Sequence, residues 1–432
     1  MSASMLSPVH HLHESLPALS ASPDGCRVWA EISTDALVHN YTVLSGRVKA
    51  VSPSTRALAV VKADAYGHGV AVCASALTAV GCRAFAVACL EEAVALRQAL
   101  LSPALPQPVD PATGLRPAQS LILILGYTDP AYAHLLARYD VSAALVSADH
   151  AAAMSEAAVS AGVTVKVHAA LDTGMNRIGF CAHNEDEIAA AVAGIRAVSA
   201  LPGLFIEGMF THFAMSDEDY AGQMTADPSS RTWTQLSRYR AVLAGLEAAG
   251  CRPPVCHVCN SAAAVRFPGL SDFAPACLDM VRLGINLYGY GVPAPEEGFP
   301  ALKPVMTLKT RVTHLHTLQP GEQVGYGGTY SAGTPRTIAT LPIGYADGFI
   351  RALKGCSVVI HTAEGDVTAP LAGRICMDQC MADVTGLPVS VGDTVTLFGD
   401  DPAQLEALAA RAGTITYELL CLLTARVPRF TV

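Results

Sequence analysis

The stretch Ala59–Gly69, AVVKADAYGHG, places Lys62 at the end of an apolar run and directly before a turn holding Asp64, Tyr66, Gly67, His68 and Gly69. Lysine is among the residues least often buried without a partner or a task. In an isolated VVKA the simpler reading is a strand end at the surface. An amine held in a partly desolvated pocket, however, has a lowered pKa and can condense with an aldehyde to a Schiff base. Tyr66, in the same turn, offers a phenol that can donate to an anion. Farther along, Asn260 and Ser261 precede an Ala-rich stretch, Arg282 lies in DMVRLGINLYG, and Arg177 follows LD in DTGMNRIG.

These residues need elements to carry them. Between about 34 and 300, short apolar runs alternate with Ala-rich helical stretches. The runs are ALAVVKA (57–63), AFAVACL (84–90), SLILILG (120–126), SAALVS (142–147), TVKVHAALD (164–172), LFIEGMFTH (204–212), VCHVCN (255–260) and DMVRLGINLYG (279–289). Eight strands alternating with helices over about 250 residues predict a (β/α)8 TIM barrel. A doubly wound sheet competes, but no GxGxxG follows the first run. From 301 to 432 the texture changes to short β runs broken by Gly, Pro and Asp, which predicts a mostly β C-terminal domain. One helix interrupts it, with Asp401 as cap, Pro402 at its first position and Gly413 after its end. The segment 27–33, RVWAEIS, is strand-like and is expected to pair with the C-terminal domain. Residues 1–26 read as a flexible N-terminal extension.

In a TIM barrel the active site lies at the C-terminal ends of the strands, which is where Lys62 falls. Phosphate sites in barrels are commonly built by the loops after strands seven and eight. Here those loops carry Asn260 and Ser261, at a helix start with free N–H groups, and Gly284, which allows close backbone approach. Arg282 inside a barrel needs a counter-group, and a cofactor supplies one. An amine for an aldehyde beside a cradle for a phosphate is what pyridoxal phosphate requires. By parity, Lys166, His168, Ala170 and Asp172 of the fifth run face inward, and Arg177 in the loop after them suits a carboxylate.

The totals bound the alternatives. The chain has 432 residues, 51% hydrophobic and 15% charged, with a net charge of −9 and no basic cluster. Nucleic acid and anionic membrane surfaces are not its partners by this measure, and no uncharged apolar run spans a bilayer. The first 26 residues lack the basic start and apolar core of a secretory signal. Thirteen cysteines, an odd number, point to reduced thiols in the cytoplasm. The lone CxxC, Cys256 and Cys259, has no second pair to complete a zinc site and reads as core, so no metal is expected.

Taken together and in order, AVVKADAYGHG, LDTGMNRIGF, THFAMSDE, CHVCNSAA, VRLGINLYG, GYGGTY, LPIGYADG, GRICMDQ and YELLCLLTARVPR resemble the alanine racemase family, two-domain pyridoxal phosphate enzymes. The resemblance runs from about residue 28 to 432. It implies that Lys62 holds the cofactor as an internal aldimine and serves as one acid–base. Tyr326, in GYGGTY, is the other, reaching the lysine of the opposite subunit in a head-to-tail homodimer. Tyr66, Ser261, Tyr417 and the backbone of Gly284 and Ile285 are then the phosphate ligands, with Asn260 beside them. Arg282 faces the pyridine nitrogen, with His257 behind it and His212 near the ring. Arg177 and the Met377 backbone take the substrate carboxylate, while Cys376 and Tyr345 narrow the pocket for its side chain. The implied product, D-alanine, supplies peptidoglycan.

One position departs from the family pattern. The lysine usually found two residues before the Asp of DTGM, carbamylated to buttress the carboxylate-binding arginine, is Ala170 here. Chloride or water is the expected replacement beside Arg177. The change also keeps open a racemase of broader range, acting on serine, lysine or other amino acids. A non-catalytic pyridoxal phosphate carrier lacks the β domain and its tyrosine, and GYGGTY and GRICMDQ do not resemble the corresponding blocks of decarboxylases of the same fold.

Overall fold

Short runs of Val, Ile, Leu and Ala buried on both faces are what a parallel sheet covered by helices demands. The computed structural model describes residues 22–217, 229–291, 301–399 and 401–432; the extension read over 1–26 lies outside the described residues as far as residue 21. In chain order the first strands are β1 (Val28–Ile32), β2 (Arg56–Val60), β3 (Ala84–Val87), β4 (Leu121–Ile124) and β5 (Ser142–Leu145). There follow β6 (Val165–Asp172), the two-residue β7 (Phe180–Cys181), β8 (Leu204–Phe210), β9 (Val255–His257) and β10 (Met280–Leu283). Eight of these, β2 to β6 and β8 to β10, form one parallel sheet in the order β5-β4-β3-β2-β10-β9-β8-β6. Pairing of β5 with β6 closes it into the TIM barrel that the alternation predicts.

Helices wrap this barrel and start where the sequence provides caps. Ser33, Ser147 and Asn184 accept from the Ala36, His150 and Glu187 amides at 3.2, 3.1 and 2.9 Å. Cys256 and Cys259 are fully buried in the core.

The C-terminal part is mostly β. It contains β11 (Met306–Arg311), β12 (His314–Leu318), β13 (Gln323–Val324), β14 (Tyr330–Ser331), β15 (Arg336–Leu341), β16 (Ser357–Thr362), β17 (Gly365–Pro370), β18 (Cys380–Asp383), β19 (Thr394–Phe398) and β20 (Arg429–Thr431). A six-stranded sheet has the order β17-β16-β19-β11-β1-β20, and β12-β15-β18 form a second sheet. β1 runs antiparallel to β11 and parallel to β20. Asp401 caps the helix Pro402–Ala412, and Gly413 ends it with φ of 71°.

Candidate active site

β2 delivers Lys62 to the C-terminal mouth of the barrel. The next four residues, Ala63, Asp64, Ala65 and Tyr66, all adopt left-handed backbone with φ between 51° and 56°. Each such non-glycine residue costs about 1–2 kcal/mol, so the turn persists only because its surroundings hold it. Three braces do so. Glu92 accepts from the Ala63 amide with one carboxylate oxygen at 2.7 Å and from the Ala88 amide with the other at 2.8 Å. Asp64 accepts from the Val70 amide at 2.7 Å. Arg429 donates to the Gly67 carbonyl at 3.0 Å, and a Cβ at Gly67 would lie 2.4 Å from the Leu420 carbonyl oxygen. Burial first, and then the charge of Arg177, lower the Lys62 amine below its ordinary value. It is therefore uncharged more readily than a free lysine, as a nucleophilic amine must be.

Lys62 opens into a cavity of about 140 Å³ that also meets Tyr66, Ser261, Gly284 and Tyr417. Ser261 Oγ accepts from the Gly284 amide at 2.9 Å, leaving its hydroxyl proton for another acceptor. A Cβ on Gly284 would come within 2.7 Å of Ser261 Oγ and 3.0 Å of Tyr66 Oη. Glycine thus lets the backbone approach both hydroxyls more closely than a side chain allows. Burial raises both phenols, Tyr417 to about 12, so both stay protonated donors. Asn260 lines the same cavity, yet its side chain is committed internally: its oxygen takes the Ala263 amide and the Ser216 hydroxyl, and its nitrogen donates to the Phe213 carbonyl. Ile285 is fully buried and opens the short turn that follows Gly284.

Arg282 forms the buried floor. Its guanidinium donates to the Thr211 and Val258 carbonyls at 2.7 and 3.0 Å and to His257 Nδ1 at 2.9 Å. Burial lowers its pKa to about 10, which leaves it cationic at neutral pH. His257 continues to His168 at 3.1 Å, and His168 to Glu207 at 3.2 Å. His212 also lines the cavity. Burial, then the charges of Arg282, Arg177 and Lys62, pull its pKa to about 3, so the ring is neutral.

Arg177 is exposed, and its charge reaches Lys62, His212 and Arg282. Its loop is held by Asp172, which accepts from the Gly174 and Asn176 amides at 3.0 and 2.9 Å. Ala170 is packed in an apolar cluster with Ala144 and Phe210, with Leu125 and Ile178 against them. A Cβ on Gly179 would approach the Ala170 carbonyl at 2.7 Å, so this loop passes tightly against the strand backbone at Ala170.

The remaining residues read from the sequence lie elsewhere. Tyr326, Cys376 and Met377 line a second, larger cavity of about 870 Å³ in the C-terminal part. Tyr345 is tied to them, donating from its amide to the Cys376 carbonyl at 3.1 Å. Tyr326 is 71% exposed and Met377 53%. The two cavities share no lining residue. Sequence reasoning overlooked Glu92, Glu207 and the cavity-lining Asp217; parity alone marked His168 as inward.

Comparison with known proteins finds the family profile described as alanine racemase, N-terminal domain over residues 32–292, and alanine racemase, C-terminal domain over 305–431. The alanine racemase of Desulfovibrio desulfuricans is 40% identical over 405 residues, 93% of this chain and 97% of its own. Alanine racemase 1 of Clostridium acetobutylicum is 38% identical over 408 residues, 93% of this chain and 94% of its own. Among solved structures, the alanine racemase of Clostridium difficile superposes with a TM-score of 0.77 at 33% identity, covering 94% of this chain and 96% of that one.

Proposed function

The chain belongs to the alanine racemase family, isomerases that interconvert L- and D-alanine, and on that premise we propose how it does so: with pyridoxal 5'-phosphate at the barrel mouth, in a homodimer whose sites each take one residue from the other subunit. The cavity beside Lys62 suits a phosphate, with Ser261, Tyr66 and Tyr417 as hydroxyl donors around it and Gly284 approaching closely. Lys62 would hold the aldehyde carbon, and Arg282 would face the ring nitrogen. When bound, the cofactor withdraws electrons from the substrate Cα and so weakens its C–H bond. The positive charge of Arg282 would disfavour protonation of a ring nitrogen held beside it and so moderate that withdrawal.

The residues then divide the proton work. Inversion at Cα requires a proton to leave one face and another to arrive on the opposite face. Lys62 Nζ moves the proton on one face, and Tyr326 Oη of the partner subunit moves it on the other. Arg177 and the Met377 backbone orient the substrate carboxylate, while Cys376 and Tyr345 limit the space for its side chain. The observation that carries this reading is the division of the site. The amine and phosphate cradle open into one cavity and Tyr326 into another, which supports a site completed by a second copy. A cytoplasmic setting, with D-alanine passing to peptidoglycan, completes it.

The test offers the purified protein with pyridoxal phosphate L-alanine, L-serine, L-lysine and L-arginine in parallel, and follows each D-enantiomer. Alanine far ahead of the others, with activity lost in Lys62→Ala and Tyr326→Phe, is the expected result. Comparable rates on several substrates make it a broad racemase, and cofactor binding without racemisation makes it a carrier.

A further inference from the structure

Arg282, fully enclosed, touches no carboxylate among the described residues; its hydrogen bonds go to carbonyls and to His257. The nearest acid reached through bonded groups is Glu207, at the far end of a chain of four side chains. Arg282 meets His257 Nδ1 at 2.9 Å, His257 Nε2 meets His168 Nδ1 at 3.1 Å, and His168 Nε2 meets Glu207 Oε2 at 3.2 Å. Ser142 Oγ donates to the same Glu207 oxygen at 2.5 Å.

The two ends of this chain fix everything between them. A guanidinium can only donate, and an ionised carboxylate can only accept. His257 Nδ1 must therefore carry a lone pair toward Arg282, which puts its proton on Nε2. That proton points at His168 Nδ1, which must be a lone pair in turn, so His168 carries its proton on Nε2 and donates it to Glu207. No other arrangement satisfies all three contacts. Burial and the Arg282 charge also hold His257 well below its ordinary pKa, in keeping with a neutral ring.

The surroundings are shaped for this chain. Gly208 stands opposite His168 in the β6–β8 register, and a Cβ there would come within 2.3 Å of His168 Nδ1. The His257 ring stacks on Phe210 with centroids 5.3 Å apart and planes at 17°. The same Phe210 ring lies under the Arg282 guanidinium at 5.6 Å.

We propose that Glu207 is a positioning residue for the racemisation: through His168 and His257 it fixes both imidazole tautomers, so that Arg282 meets only a lone pair and is held at the cavity floor. Without the acceptor at 207, His168 is free to reverse its tautomer and pass the reversal to His257. That would bring an N–H against the guanidinium and push it away from the ring nitrogen. The consequence for turnover rests on the reading of Arg282 given above; the tautomer order does not.

The test uses the full-length, cofactor-loaded protein with 15N-labelled histidine, as wild type and as Glu207→Leu and Glu207→Gln. In the wild type, His168 and His257 should both carry hydrogen on Nε2 and none on Nδ1. Glu207→Leu should lose this order and lower kcat by about tenfold or more with KM for L-alanine changed less than about threefold. Glu207→Gln, which keeps an acceptor oxygen and similar size, should retain the tautomers and stay within about threefold of wild-type kcat. A proton on His257 Nδ1 in the wild type would overturn the proposal. So would a leucine variant with wild-type tautomers and turnover, or a glutamine variant that behaves like the leucine one. If the tautomers are as stated but the wild type racemises nothing, the proposed function fails and the relay stands.

Discussion

Lys62 and Tyr326 open into separate cavities of one chain, and no residue lines both. Composite sites follow if two copies face each other, and they have a quantitative signature. Lys62→Ala and Tyr326→Phe should each be inactive alone. In a dimer of one copy of each, one site carries both lesions and the other carries neither. Random mixing makes half the dimers mixed, so activity should return to about a quarter of wild type. Co-expression of the two variants followed by a racemisation assay checks this; no recovery would put both residues in one chain's site.

Gly284 brings its backbone close to Ser261 Oγ and Tyr66 Oη. Gly284→Ala puts a methyl group against both hydroxyls, 2.7 Å from Ser261 Oγ, and so displaces the donors of the cradle. Affinity for pyridoxal phosphate, by equilibrium titration of its absorbance, should fall by about tenfold or more, since a methyl that displaces one hydrogen-bonded anion contact costs roughly 1.5–3 kcal/mol. The unfolding midpoint of the cofactor-free protein should move little.

Glu92 satisfies two amides with two oxygens, at Ala63 and at Ala88. Glu92→Ala removes the acceptor from both; these bonds are exposed, so water takes up the freed amides and the net loss is about 0.5–1.5 kcal/mol for each, and the left-handed turn is released at its first residue. The expected result is faster proteolysis and hydrogen exchange at residues 62–67 and weakened cofactor binding, with protection of the β domain unchanged. Glu92→Gln, with one oxygen left, should fall between.

Burial, then the Arg177 charge, lower the Lys62 amine below 10.5. The uncharged amine is the form that attacks an aldehyde, so the rate of cofactor loading should rise with pH and level off below pH 10.5. Removing a neighbouring positive charge raises the pKa of an amine. Arg177→Leu should therefore move the midpoint of that pH profile upward, as stopped-flow absorbance would record. A midpoint unmoved by this substitution would separate the two side chains electrostatically.

The barrel was legible because its strands are apolar on both faces, and each run from ALAVVKA to DMVRLGINLYG becomes one strand of the closed sheet. Lys62, Tyr66, Ser261, Gly284 and Tyr417, read from separate segments, line one cavity. What escaped the reading depends on contacts between distant residues. Glu92 sits in an ordinary helical pattern, EEAVALRQALL, and nothing local says that its carboxylate reaches Ala63. Glu207 lies in LFIEGMF, where a single acid in a strand has no visible partner. The left-handed turn is carried by Ala63 and Ala65, residue types with no preference for that backbone. Parity placed Lys166 inside with His168, but its ammonium reaches out to pair with Asp140 at 2.5 Å, both side chains partly exposed.

The clasp of Arg429 on the Gly67 carbonyl joins residues 362 positions apart. During synthesis the lysine turn leaves the ribosome long before its clasp exists, and β20, which carries Arg429, must first find β1. The nascent barrel therefore spends most of translation with its most strained segment held by Glu92 and Asp64 alone. A polypeptide cut short before Arg429 can form barrel strands yet leaves the lysine turn without its third brace, so on the proposed function β20 would complete the cofactor site last.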